Sequence, residues 1–179
     1  MQHADAAQAA REMQAQVDRV FAMGLRPTHL DAHMGSIYFA PGLFTEAVRL
    51  ARLHNLVIPF IPPEQKPALS REGFVSADTF GGFYVLDGEE HSPHMRKEAY
   101  FGWMKALRPG VHYLYTHAAS VTPELARIVE MPYVRSGDKE VWTSSETRAL
   151  AKGLGVTFIG MRALQELQGK NFRLTPGVE

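Results

Sequence analysis

The chain contains no cysteine, which excludes disulfide frameworks and thiolate metal sites. It has no excess of charge either: 19 Lys and Arg balance 19 Asp and Glu. Without a basic excess or a basic run, nucleic-acid binding has no electrostatic footing. No apolar run approaches the ~20 residues that a membrane helix needs, so no membrane partner is expected. The first residues, Met1 to Asp5, lack the apolar core of a signal peptide. A cytoplasmic location is the default expectation. Internal repeats, a phosphate-cradling Gly-rich loop and a serine-nucleophile elbow are also missing. What remains is 179 residues, 45% hydrophobic and 21% charged, the proportions of one ordinary globular domain.

Along the chain, helix-length patterns alternate with short apolar runs. Residues 6–23 are rich in the helix formers Ala, Gln, Glu and Arg, with Met13, Val17, Val20 and Phe21 at helical spacing. Gly24 is a natural C-cap. Pro27 to His33 reads as a strand. Pro41-Gly42 opens a second helix that Asn55 can end, and Leu56 to Phe60 is a strand apolar on both faces. Residues 62–92 are irregular: Pro62, Pro63 and Pro67 argue against a helix, and the aromatic stretch around Gly81-Gly82, including Phe83, Tyr84 and Val85, is a packed loop or a short hairpin. Ser92-Pro93 starts a helix to about Leu107. Val111 to Thr116 is a third strand, ending at His117. Thr122-Pro123 opens another helix. Thr143 to Glu146 matches a capping box before a helix to Leu154. Val156 to Ile159 is a fourth strand, Met161 to Leu167 a last helix, and residues 169–179 a loose tail. Strands separated by helical crossovers make βαβ units, so the expected class is α/β with mostly parallel strands.

One segment stands out chemically. In Pro27-Thr28-His29-Leu30-Asp31-Ala32-His33, two imidazoles and a carboxylate occupy alternate positions. On a strand they would point to one face and converge. Such donors suit zinc or a similar divalent cation. A plain polar strand end is the other reading. Active residues of parallel sheets gather at the carboxyl ends of strands. His29, Asp31 and His33 lie at one such end, Thr116 and His117 at another.

Those residues carry a resemblance. The run from Gln14 to Val17, Gly24 through His33, Pro109 through His117, Thr122 to Leu125, Arg135, Trp142 to Ser144, Thr147 to Leu150, Leu154 to Val156 and Arg162 to Leu164 together resemble the YdjC-like carbohydrate deacetylases, the ChbG/HpnK family. The resemblance implies a partial, distorted (β/α) barrel of the polysaccharide-deacetylase type, with residues 1–168 as a single truncated domain. It implies a hydrolase that removes acetyl groups from N-acetylated oligosaccharides with a divalent metal, Mg or Zn. His33, or alternatively His29, is the implied metal ligand, and Asp31 the partner that orients it. His117 is the implied acid for the leaving amine, or a substrate contact; a structural hydrogen-bonding role is the alternative. Tyr38 and Phe39 line a sugar site or pack as core aromatics. Arg135 contacts substrate or lies solvated on the surface.

The family also uses an N-terminal Asp-Asp motif and a following Gly-x-His motif. No Asp-Asp pair occurs in this sequence, and the one Gly-x-His, Gly110-Val111-His112, belongs to a later strand. The chain therefore reads as the C-terminal part of a family member, with metal binding weak or absent on its own. Four strands cannot close the usual barrel. Association with a missing N-terminal segment or with a second copy, as a homo-oligomer, is expected to cover the open edges. The alternative function is a non-catalytic remnant that serves as an assembly or binding module.

Overall fold

A computed structural model describes residues 5–39, 42–82, 93–129 and 131–174. Pro41, Phe83, Tyr84, Val85, His91, Ser92 and residues 175–179, on which some sequence expectations fall, lie outside the described residues. Two compact units emerge, Met1–Ala77 with Ile159–Glu179, and Asp78–Phe158.

The first unit begins with α1, Ala6–Ala22. Asp5 caps it by accepting the Gln8 N–H at 2.8 Å, and Gly24, at φ +78°, takes the left-handed turn that ends it. α2, Leu43–His54, buries Leu43, Phe44, Ala47, Leu50 and Ala51 on one face. Asn55 closes it in a left-handed conformation at φ +49°. Around α2 runs a short parallel pairing between His29 and Val57. Leu30 N–H donates to Val57 at 2.9 Å, and Val57 N–H to Thr28 at 3.0 Å. Leu56, Val57 and Ile58 are fully buried, but the strand expected over Leu56 to Phe60 is reduced to the one bridge residue Val57.

The strand expected over Pro27 to His33 shrinks to that one bridge. On one side Pro59 has no N–H to extend the ladder. On the other the chain enters a 3-10 turn, His33–Tyr38, in which Met34 (φ 53°) and Gly35 (φ 68°) are left-handed. A second correction concerns the prolines. Residues Lys66–Arg71 form α3 with Pro67 in its first turn, where the missing N–H would have had no partner anyway.

α8, Met161–Leu174, runs past Leu167, through the start of the expected loose tail. Between Leu164 and Phe172 its contacting face is built largely from amides, which a hydrophobic period does not detect. Gln165 Nε2 donates to Asn55 O at 2.8 Å and to Pro27 O at 3.1 Å. Gln168, fully buried, accepts the Val75 N–H at 3.1 Å and donates to Leu56 O at 3.0 Å. Asn171 donates to Gly73 O at 3.3 Å, and the Phe172 ring meets Phe74 edge-on at 5.1 Å.

The second unit holds a two-stranded parallel sheet, β1 (Thr79–Gly81) beside β2 (His112–Leu114), in the register Thr79↔His112 to Gly81↔Leu114. β1 replaces the loop or hairpin expected around Gly81-Gly82. A hairpin would have made its partner antiparallel; the crossover helix α4, Pro93–Lys105, makes it parallel. Phe80 and Tyr113 stack across the pair at 5.3 Å. Thr122 Oγ1 accepts the Leu125 N–H at 3.1 Å and starts α5, Leu125–Ile128. The chain then breaks and restarts at Pro132 as α6, Pro132–Thr143. α7, Ser145–Gly153, is capped by Ser144, which accepts from Glu146 at 3.1 Å and Thr147 at 3.2 Å. The cap thus sits one residue later than the box Thr143 to Glu146 implied, and Glu146 pairs instead with Lys97 at 3.1 Å.

The expected fourth strand, Val156 to Ile159, finds no strand partner among the described residues, with Phe158 58% and Ile159 55% exposed. Val156 N–H returns to Ala151 O at 2.8 Å, which ties this segment to the end of α7 rather than to a sheet. The described residues are α/β in class and mostly helical. None of their helices is long and apolar enough to cross a membrane.

Gln168→Leu strips the Val75 N–H and Leu56 C=O of their shared partner inside the fold. Urea unfolding is expected to show a loss of about 2 kcal/mol, the scale of a buried polar group left unsatisfied. A loss below about 0.5 kcal/mol would mean that water replaces the amide there.

Candidate functional site

In the first unit the candidate residues follow the parallel bridge. His29 is half-buried on the bridge, and its Nδ1 lies 2.9 Å from Thr28 Oγ1, a contact that fixes the ring. Asp31 is exposed and accepts the Ala32 N–H through Oδ1 at 2.9 Å. His33, also exposed, is the first residue of the 3-10 turn. The one-face convergence inferred from alternation is corrected here, because the extended backbone turns at His33. Among the described residues, no group of three or more His, Asp or Glu side chains is placed to hold a metal ion. The donor chemistry of His29, Asp31 and His33 suits a divalent cation, but a complete ligand set is not assembled from them.

Tyr38 closes the same turn. Its hydroxyl donates to Phe60 O at 2.7 Å, and its ring packs 5.6 Å from Phe44 and 5.6 Å from Phe60. The residue remains 37% exposed while its hydroxyl is committed to the backbone. Burial, and then the neighbouring Asp31 charge, push its phenol up to about 12. Phe39 beside it is 62% exposed.

In the second unit His117 is exposed at the end of the extended segment after β2. The Tyr115 ring meets its imidazole edge-on at 6.1 Å. Its backbone N–H donates to Asp138 Oδ2 at 3.0 Å. Two residues on, Ala119 N–H donates to Arg135 O at 3.0 Å. Arg135 is half-buried, and this backbone contact is what ties it to the His117 segment.

Behind His117 lies a buried cluster that sequence reasoning missed. Asp138 Oδ1 accepts from Arg96 Nε at 2.8 Å, from Arg96 Nη2, and from Tyr100 Oη at 2.7 Å. Arg96 and Tyr100 are fully buried and Asp138 is 2% exposed. Burial, then the hydrogen bond to Asp138 and its charge, push the Tyr100 phenol up to about 12, against the opposing Arg96 charge. α6 comes this close to α4 because Gly137 has no side chain; a Cβ there would lie 2.6 Å from Arg96 Cδ. Arg96 and Tyr100 sit four apart on one helix face, which was readable. Their partner on α6 was not.

Folding raises the phenol pKa of both Tyr38 and Tyr100 above the ordinary 10.0, so the neutral forms contribute stability below pH 10 that is lost as pH climbs to about 12. A spectrophotometric alkaline titration is expected to show two phenols ionising near 12, with Tyr38→Phe removing one. Loss of both late phenols in that single variant, or of neither, would contradict this assignment.

Comparison with known proteins adds the family. The model of the YdjC-like protein family matches residues 1–153. A carbohydrate deacetylase of Thermus thermophilus is 32% identical over 146 residues, 77% of this chain and 53% of the relative. The chain thus spans about half the length of that curated relative. A crystal structure from Enterococcus faecalis, described as a candidate cellobiose-phosphate cleavage protein, superposes with a TM-score of 0.68 at 20% identity, covering 89% of this chain and 61% of that one. This second likeness is one of fold. The match over residues 1–153 takes in the His29 to His33 segment, His117 and the Arg135–Asp138 helix alike, and the chain belongs to the YdjC-like protein family.

Proposed function

We propose that this chain carries part of the machinery of a hydrolase that removes acetyl groups from N-acetylated oligosaccharides. The observation that carries the reading is the family match over residues 1–153, supported by a carbohydrate deacetylase 32% identical over 77% of the chain. On this reading His33, or else His29, contributes a ligand to a divalent metal, Mg or Zn, and Asp31 orients it. His117 gives its proton to the leaving amine, a role that its exposed imidazole allows. Tyr38 lines the sugar site, and Arg135 contacts the substrate. The residues described here supply too few converging donors for a metal centre, so we assign no step to the metal. A partial, distorted (β/α) barrel is the finer fold reading. The parallel sense of both pairings and the α4 crossover support it.

One feature favours a second reading, a non-catalytic binding or assembly module: the 179 residues contain no Asp-Asp pair. On the first reading the chain associates with a second copy or with a further segment that supplies the remaining groups.

Two measurements test this. Calorimetric titration with zinc is expected to give weak or no binding, since one or two ligands make a poor site; tight stoichiometric binding would overturn that expectation. Acetate release from chitobiose, with Mg or Zn added, is the test of the chemistry. Release that falls about 10²–10⁴-fold in His117→Ala is the deacetylase result. Binding of chitobiose without any release is the module result.

A further inference from the structure

We propose that Asp138 is the positioning residue of His117. Its carboxylate, locked in place by Arg96 and Tyr100, holds the His117 backbone and so fixes where that imidazole is presented.

Among the described residues β2 ends at Leu114, and its pairing with β1 closes with the bond from Tyr115 N–H to Gly81 O at 2.9 Å. Beyond it the segment runs Thr116-His117-Ala118-Ala119, with no proline to stiffen it. Two of its anchors come from α6. Asp138 Oδ2 accepts the His117 N–H at 3.0 Å and Arg135 O accepts the Ala119 N–H at 3.0 Å. Positions 135 and 138 are three apart on α6 and share a face, so one helix grips the segment on either side of Ala118.

The grip is firm because the carboxylate cannot turn. Oδ1 is shared by Arg96 and Tyr100, which are themselves fully buried, and this sets the direction of Oδ2. A buried ion pair adds little net stability over apolar residues of equal volume. What it does supply here is a fixed acceptor at a defined point. The single-donor job left to Oδ2 is the His117 amide.

The proposal rests on the reading of His117 as proton donor only for its catalytic consequence, so the first measurement needs neither substrate nor metal. In Asp138→Asn, three donors draw the amide carbonyl to the Arg96–Tyr100 side, and the NH₂ group then faces the His117 N–H. Arg96→Met/Asp138→Leu removes the acceptor without leaving a buried charge. Hydrogen exchange and imidazole resonances of His117 are followed by NMR in both variants, with the Phe101 and Met104 amides of α4 as internal reference. The expected result is His117 amide exchange about tenfold or more faster, the loss of a charge-assisted hydrogen bond, with shifted imidazole signals and unchanged α4 amides. Unchanged His117 signals, or exchange that rises in step with α4, would overturn the proposal. Failure of both variants to fold would overturn it too, since Asp138 would then be a structural anchor. Where acetate release is measurable, Asp138→Asn is expected to lower kcat with KM unchanged. A released His117 with unaltered kcat would count against the acid role of His117 and leave the clamp standing.

Discussion

Parallel strands cannot be joined by a tight turn; the chain must cross back over a helix before it can pair again. That constraint shapes each unit. In the first, α2 carries the chain from His29 to Val57. In the second, α4 carries it from β1 to β2. Each crossover helix becomes the wall against which its pairing packs, with the apolar face of α2 over Leu56 and Ile58, and Tyr100, Phe101 and Met104 of α4 in the other core. The chemistry-bearing residues His29 and His117 lie in or beyond these short pairings. There the ladder no longer satisfies the backbone, and side chains must take over.

Side chains do take over, by different means in the two units. Around His29 the helix α8 returns with Gln165, Gln168 and Asn171 and bonds the loop backbones directly. Neutral amides can serve there because each offers both donor and acceptor. Around His117 the anchor is ionic. A lone buried carboxylate would be costly, and Arg96 with Tyr100 supplies the charge and hydrogen bonds that make Asp138 tolerable in a 2% exposed position. Gly137 is the steric condition for that arrangement, since only its missing Cβ lets Arg96 lie flat against α6.

Local signals in the sequence were reliable where the physics is local. The extents of α1 and α2, the left-handed stop at Asn55, the Thr122 cap and the parallel sense of the His29–Val57 pairing were all readable from propensity, capping residues and helix-length spacing. The misplaced elements share a cause. β1 has only three residues and exists because β2 lies beside it. Val156 to Ile159 has the composition of a strand and no strand partner among the described residues. α8 outran its hydrophobic stripe because its packing face is made largely of amides. The candidate residues His29, Asp31, His33, Tyr38, His117 and Arg135 could be named from motif and resemblance. The Arg96–Asp138 pair could not, for its members stand 42 residues apart on different helices.

The amino-acid sequence alone therefore determined helices α1, α2, α4 and α7, the stops at Gly24 and Asn55, the α/β class and the family to which the chain belongs, because each depends on residues close together or on a contiguous motif. Only the tertiary structure decided how far each strand pairs, that His33 leaves the extended run for a 3-10 turn, and which buried carboxylate meets the His117 amide. Those outcomes are set by groups distant in sequence competing for the same hydrogen bonds, and no local pattern records the result.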